Sequence, residues 1–379
     1  MSDGEGDWLQ EVGRRLLAWA EQGLTPFPWR GERDPYRIWV SEVMLQQTRR
    51  DTVVPYYRRF LERFPTLREL AAADPEEVLR VWEGLGYYAR ARALHAAARE
   101  VVQRFGGDLP AERRALLSLP GIGPYTAGAI LSLAFGKDEP VLDGNVRRVL
   151  CRLALVAGDP RRPEVQRTLW ALARAVLVPG RAGRTNEALM ELGATVCTPR
   201  APRCGACPLL GLCRAQRAGL AEELPARSKR GKLPHRTVTA AVIVEDGRVL
   251  VARRPEKDLL GGLWEFPGGT LEPGEELREC LKREISEELG IEIAVGPLLA
   301  VIPHAYTHYR ITLHVFLCRR IRGEPRPLEC ADWRWADAQT LSTLPMSAVD
   351  RRIARAVAAG LAEGNFFQHF CVFIDERPL

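Results

Sequence analysis

"LSLPGIGPYTAGAI", residues 117–130, is the stretch on which the fold of this chain turns. Leu119-Pro120-Gly121-Ile122-Gly123 separates two apolar segments, and the pattern predicts two helices joined by a tight glycine turn. Glycines carry no Cβ, so the backbone amides that open the second helix can approach a phosphate closely. Twenty residues beyond Gly123, "VLDGNVRRVL" (141–150) supplies a carboxylate, Asp143, and an amide, Asn145.

Outward from this turn the first half reads as nearly all helix. "DWLQEVGRRLLAWAEQ" (7–22), "PEEVLRVWEGLG" (75–86), "RARALHAAAREVVQRFGG" (90–107) and "RRALLSL" (113–119) repeat apolar residues at spacings of three and four, with glycine and proline between them. No strand pattern is evident before about residue 237. "RTVTAAVIVEDGRVLVARR" (236–254) then gives two β-rich runs around Asp246-Gly247, a hairpin signal. The Pro-containing, basic stretch 222–236 reads as a linker between a domain over 1–221 and a second over 237–365. The tail 366–379 has no assigned role.

With 379 residues the chain has room for two or three cores, and 46% hydrophobic with 27% charged residues is a globular composition. No apolar run reaches the roughly 18 residues of a membrane span, and the acidic N-terminus is unlike a secretory signal, so no membrane partner and a cytoplasmic location are expected. The net charge of +6 conceals a division. Residues 1–236 hold 37 basic against 27 acidic side chains, whereas residues 237–379 hold 17 against 21. The first part is therefore the better partner for a polyanion, since neutralising phosphates supplies much of non-specific DNA affinity. A solvated arginine-rich surface has the same composition.

Four of the nine cysteines, Cys197, Cys204, Cys207 and Cys213, form a C-x6-C-x2-C-x5-C array. Without a secretory signal, metal ligation is the default for such spacing, and both zinc and an iron-sulfur cluster accept four thiolates. Cys151, Cys280, Cys318, Cys330 and Cys371 are scattered and read as small apolar fillers.

"DPYRIWVSEVMLQQTR" (34–49), "WEGLGYYARARALH" (82–95), the glycine turn, "VLDGNVRRVL" and the cysteine loop, in that order, resemble the MutY-type adenine DNA glycosylases over about residues 8–215. The resemblance implies a helix-hairpin-helix fold of the endonuclease III superfamily and one 4Fe-4S cluster on the four cysteines. It also implies excision of adenine opposite 8-oxoguanine or guanine in double-stranded DNA, by a monomer. Residue by residue, Glu42 matches the general acid and Asp143 the carboxylate that faces the cation-like sugar, with Asn145 beside it. The apolar neighbours Val43, Met44 and Leu45 suit a site that keeps Glu42 protonated. The sister glycosylases carry a lysine in the second hairpin helix where this chain has Tyr125, which implies an abasic product with an intact strand and a role for Tyr125 near Asp143. The adenine must be flipped from the duplex. Gln47 and Tyr87 match wedges in the base stack, Trp29, Arg30, Leu45 and Glu187 the adenine pocket, and Gln46, Leu85, Gly121 and Gly123 further DNA contacts. The alternative for Trp29 and Tyr87 is packing as core aromatics.

In the second half, "GTLEPGEELRECLKREISEELGI" (269–291) carries the whole signature G-x5-E-x7-R-E-U-x-E-E-x-G-U, where U is a bulky aliphatic residue. It resembles MutT-type Nudix hydrolases of oxidised nucleotides, so the second domain is expected to be an α/β Nudix-like fold. Glu284, Glu287 and Glu288 fall at i, i+3 and i+4, which would let three carboxylates converge on Mg2+. MutY-type proteins end in a domain of this fold that reads 8-oxoguanine, normally with the signature eroded; its retention here is a departure. "HAYTHYR" (304–310) matches the recognition loop, making Tyr306, Thr307 and His308 candidates, whereas "LPMSAVD" (344–350) lacks the Asn of a MutT-type enzyme. The expectation is a multidomain protein, all-α glycosylase then α/β lesion reader. The alternative adds hydrolysis of 8-oxo-dGTP by the second domain. A pure nucleotide hydrolase and a silent DNA-binding module remain as readings from other classes.

Overall fold

The protein is described by a computed structural model over residues 3–226 and 233–363. The tail 366–379, with Cys371, and part of the 222–236 linker lie outside the described residues. The chain forms two compact units, residues 1–72 with 93–230 and residues 73–92 with 231–379. The division differs from the contiguous one expected in that residues 73–92 join the second unit.

The first unit is helical. Its elements are α1 (Asp3–Glu21), α2 (Pro35–Leu45), α3 (Arg50–Arg63) and α4 (Leu67–Ala72), followed after α5 (Pro75–Trp82) of the other unit by α6 (Ala89–Phe105), whose first turn crosses the division. Then come α7 (Arg113–Leu117), α8 (Pro124–Leu133), α9 (Gly144–Leu153), α10 (Pro163–Ala175), α11 (Ala182–Thr195) and α12 (Arg214–Arg217). Helix starts follow local chemistry: Asp34 accepts from the Tyr36 amide with Pro35 at the first helical position, and Asp143 caps α9 through the Val146 amide. Leu9, Val12, Leu16 and Ala20 of α1 are fully buried against Val146, Val149 and Leu150 of α9 and Leu189 and Leu192 of α11. Each such Leu or Val contributes about 1.5–3 kcal/mol through burial. The predicted turn joins α7 to α8. Gly121 has φ +73°, and a Cβ there would stand 2.7 Å from that of Ala93, so both conformation and space require glycine.

In the second unit the strands are β1 (His235–Glu245), β2 (Arg248–Arg253), β3 (Trp264–Glu265), β4 (Glu292–Ala305), β5 (Arg310–Arg322) and β6 (Asp332–Ala336). The sheet order is β3-β2-β1-β5-β4, with β6 also on β2. The expected hairpin is present. β1 and β2 pair antiparallel around Asp246 (φ +47°) and Gly247 (φ +71°), the two left-handed residues of a primed turn. Both faces of the sheet are covered, which period-two alternation accomplishes. Ala240 and Val242 of β1 and Val249 and Val251 of β2 face α15 (Ala348–Glu363), while Ala241, Ile243, Leu250 and Ala252 face α13 (Leu277–Leu289). α14 (Ala338–Thr343) closes the first of these cores through Leu341. Among the described residues no helix is long and apolar enough to cross a membrane.

Candidate active site

A cleft of about 1100 Å3 in the first unit draws its walls from α2, α3, α8, α9 and α11. Glu42 sits in α2 between buried Ser41 and Val43 and is only 4% exposed. Burial pushes its carboxyl up to about 7; the Tyr125 hydroxyl, donating to Oε2, works the other way, and the charges of Asp143 and Glu187 add to the rise. Asp143, at the amino end of α9, is surrounded by donors. Oδ1 accepts from the Val146 amide at 2.7 Å and Oδ2 from Asn145 Nδ2 at 3.1 Å. Burial raises this carboxyl too, but the donors and Arg148 oppose that and favour the charged form. Asn145 is held by Arg148, whose Nη2 donates to Oδ1 at 2.9 Å.

Tyr125 engages Glu42 and, at 3.4 Å, Met190 Sδ. Its hydroxyl thus partners Glu42, and the Asp143 charge lies close enough to act on it as well. Burial and the Glu42 charge hold the phenol well above its ordinary value, so it remains a donor.

Trp29, Arg30, Leu45, Gln46, Gln47, Gly121, Gly123 and Glu187 all line the same cleft. Trp29 stacks on Phe27 at 5.1 Å and meets Tyr57 edge-on at 5.4 Å. Arg30 reaches Glu187 at 2.9 Å and Glu191 at 3.0 Å. Glu191, 2% exposed, also holds Arg50 and the Thr25 hydroxyl. The sequence reading missed Glu191, although its i, i+4 relation to Glu187 on α11 puts both on one helical face. Gln46 Nε2 lies 3.4 Å from Thr126 Oγ1, while Gln47 is exposed with φ +60°. Gly123 caps α8 without a side-chain oxygen, and Pro124 follows, leaving the first-turn amides available to an anion.

Cys197, Cys204, Cys207 and Cys213 ring a small cavity with Arg152, Val196 and Leu210 in its wall. Arg152 Nη1 lies 3.3 Å from Cys197 Sγ, an arrangement suited to a thiolate. Among the described residues no three His, Cys, Asp or Glu side chains close on a single ion. Four thiols around one cavity are the donor set that an iron-sulfur cluster uses.

In the second unit, Tyr87 has φ +51° and its hydroxyl lies 2.6 Å from Thr307 Oγ1. Leu85, assigned to DNA contact from the sequence, is buried at 6% exposure. Thr307 and His308 are exposed at the tip of the β4–β5 hairpin, above Tyr306, whose ring packs against His304 and Tyr309. The Nudix carboxylates share one helical face but not one target. Glu284 and Glu287 pair with Arg283 at 3.1 and 2.9 Å, and Glu288 accepts from the Gly268 amide at 3.2 Å. Burial pushes the Glu288 carboxyl up to about 7 and the Glu284 charge adds to the rise, so these two carboxylates stand within electrostatic reach of one another. A cavity of about 360 Å3 beside Glu284 is lined by Phe266, Tyr306, Tyr309 and Asp350.

Residues 40–175 match the HhH-GPD superfamily base excision DNA repair protein family, 197–213 the iron-sulfur binding domain of endonuclease III, and 238–356 the NUDIX domain. The chain is 36% identical over 402 residues to the adenine DNA glycosylase of Homo sapiens, covering 90% of this chain and 72% of that one. It is 36% identical to that of Rattus norvegicus, covering 90% and 77%. A solved structure of a thermostable thymine-DNA glycosylase is similar with a TM-score of 0.52 at 30% identity, covering 57% of this chain and all of that one.

Proposed function

We propose, for a chain that belongs to the adenine DNA glycosylase family, that Glu42 and Asp143 divide the work of excision between a proton and a charge. The protein is a DNA glycosylase of base excision repair and binds DNA, and its 197–213 loop carries an iron-sulfur cluster. Adenine leaves poorly until its ring is protonated. Glu42, with a carboxyl raised to about 7, still holds a proton near neutral pH and gives it to a purine ring nitrogen as the C1′–N9 bond breaks. The base departs as neutral adenine. Asp143, whose charged form the Val146 and Asn145 donors favour against the opposing effect of burial, faces the positive charge that develops at C1′. A water oxygen then bonds to C1′, and its proton returns to the Glu42 carboxylate. The chain has five lysines and, among the described residues, none lines the cleft, so no Schiff base competes there and the strand stays intact at the abasic site.

The adenine reaches this cleft by flipping from the duplex, with Gln47 and Tyr87 as wedges and Trp29, Arg30, Leu45 and Glu187 around the base. Both wedges are non-glycine residues in left-handed backbone, a conformation that costs about 1–3 kcal/mol and concentrates at functional sites. The base opposite is 8-oxoguanine, read by Thr307 and His308 with Tyr306 behind them, and the protein acts as a monomer on A:8-oxoguanine and A:G mispairs. Cys197, Cys204, Cys207 and Cys213 hold a 4Fe-4S cluster, which supplies a rigid, positively flanked loop for the DNA backbone. Mg2+ at Glu284, Glu287 and Glu288 would compete with Arg283 for Glu284 and Glu287 and with the Gly268 amide for Glu288.

The observation that carries the reading is a buried, protonatable Glu42 in the same cleft as a donor-stabilised Asp143. Single-turnover excision from an A:8-oxoguanine duplex should fall by about 10²–10⁴-fold in Glu42→Gln and in Asp143→Asn, with duplex affinity retained. Near wild-type rates in both variants overturn it.

A further inference from the structure

Tyr87 occupies an unfavourable backbone conformation, and the residues that impose it belong to the second unit. Gly84 (φ +93°), Gly86 (φ +75°) and Tyr87 are all left-handed within four residues, and the turn that follows α5 is held locally by Trp82 Nε1 and Arg90 Nη2, which both donate to the Gly86 carbonyl at 3.1 Å. Its entry is pinned at Glu83. That carboxylate takes a two-pronged ion pair from Arg351 of α15, Nε to Oε1 at 2.6 Å and Nη2 to Oε2 at 2.9 Å. The Arg351 side chain is 15% and that of Glu83 19% exposed, so the pair is shielded from solvent far better than a surface salt bridge. The remaining donors of Arg351 hold the Leu341 and Leu344 carbonyls, which fixes the guanidinium against the segment between α14 and α15. The exit of the turn is pinned at Tyr88, whose buried hydroxyl donates to the Met346 carbonyl of that same segment at 3.2 Å.

From this we infer that Arg351 is a positioning residue for excision. It touches neither base nor sugar; it holds the turn that presents Tyr87 and brings the Tyr87 hydroxyl to Thr307. A fork bonded to both carboxylate oxygens and two carbonyls fixes orientation in a way a point charge does not. The Tyr87 wedge and the 306–308 reader are thereby one body, built from a segment that the chain splices between α4 and α6. The inference rests on the reading of Tyr87 as a wedge in the stack.

The test uses full-length protein and a duplex with 2-aminopurine opposite 8-oxoguanine, whose fluorescence reports the flipped base, together with single-turnover excision of adenine. R351A and the milder E83Q should each lower both the flipped population and the excision rate by about tenfold, the equivalent of releasing one strained residue. The double variant should be no worse than either single, because one interaction is lost once. R351K, which keeps the charge without the fork, should recover only part. Wild-type flipping in both R351A and E83Q, or losses that multiply in the double variant, overturn the inference even where thermal stability drops. T307V separates it from the reading of the opposite base: that change should reduce discrimination between 8-oxoguanine and guanine. If T307V keeps full discrimination while R351A loses flipping, the reader assignment fails and the positioning role stands; the converse result sinks the positioning role alone.

Discussion

Replacing Tyr125 by Phe removes one hydroxyl that donates to the Glu42 carboxylate and leaves the ring in the core formed by α1, α9 and α11. A hydrogen bond to a buried charged group is worth about 1.5–3 kcal/mol. That energy favours the ionised carboxylate, so it lowers the Glu42 carboxyl, and its loss should raise it from about 7 by about one to two pH units. The acid form is the active one. Excision by the wild-type protein should therefore decline as pH rises through about 7, while Tyr125→Phe should hold its rate to about pH 8 or 9 before declining. The measurement is single-turnover excision from pH 5 to 10, fast enough that product release does not intrude. An alkaline limb that stays in place in Tyr125→Phe, or moves to lower pH, would show that Tyr125 does not tune Glu42. A rate lost equally at every pH would place Tyr125 in the chemistry itself.

The raised Glu42 carboxyl also predicts a stability cost. Below pH 4.5 it is protonated in both folded and unfolded chains; as pH rises to about 7 the unfolded chain ionises first and about 3 kcal/mol is lost, with no further change above. Glu42→Gln should accordingly raise the thermal midpoint at pH 8 and much less at pH 5, and a difference independent of pH refutes this. Protein prepared without oxygen should be brown with a broad visible absorbance, and Cys207→Ser should lose the colour and most DNA affinity; a colourless wild-type protein holding one zinc ion contradicts the cluster. Changing Glu287 and Glu288 together to Gln should leave adenine excision within twofold, about the scatter expected of an uninvolved site. Magnesium-dependent release of pyrophosphate from 8-oxo-dGTP by the wild-type protein, abolished in that variant, would establish the second activity instead.

Local chemistry was enough to read much of this protein from its sequence. The Asp246-Gly247 hairpin and the glycine turn between α7 and α8 depend on residues a few positions apart, where backbone preference decides. Glu42 and Asp143 were legible as candidates because their motifs are continuous in the chain. The contacts that set them apart were not. The acid character of Glu42 arises from burial, against the opposing Tyr125 hydroxyl 83 residues away, while Asp143 is answered by donors on its own helix turn. The Nudix carboxylates show the opposite outcome: i, i+3 and i+4 spacing placed them on one face, but Arg283 and the Gly268 amide decided where each points. Membership of residues 73–92 in the second unit could not be read at all. The Glu83–Arg351 pair spans 268 positions, and no periodicity in either segment announces a partner that only folding brings within hydrogen-bond reach.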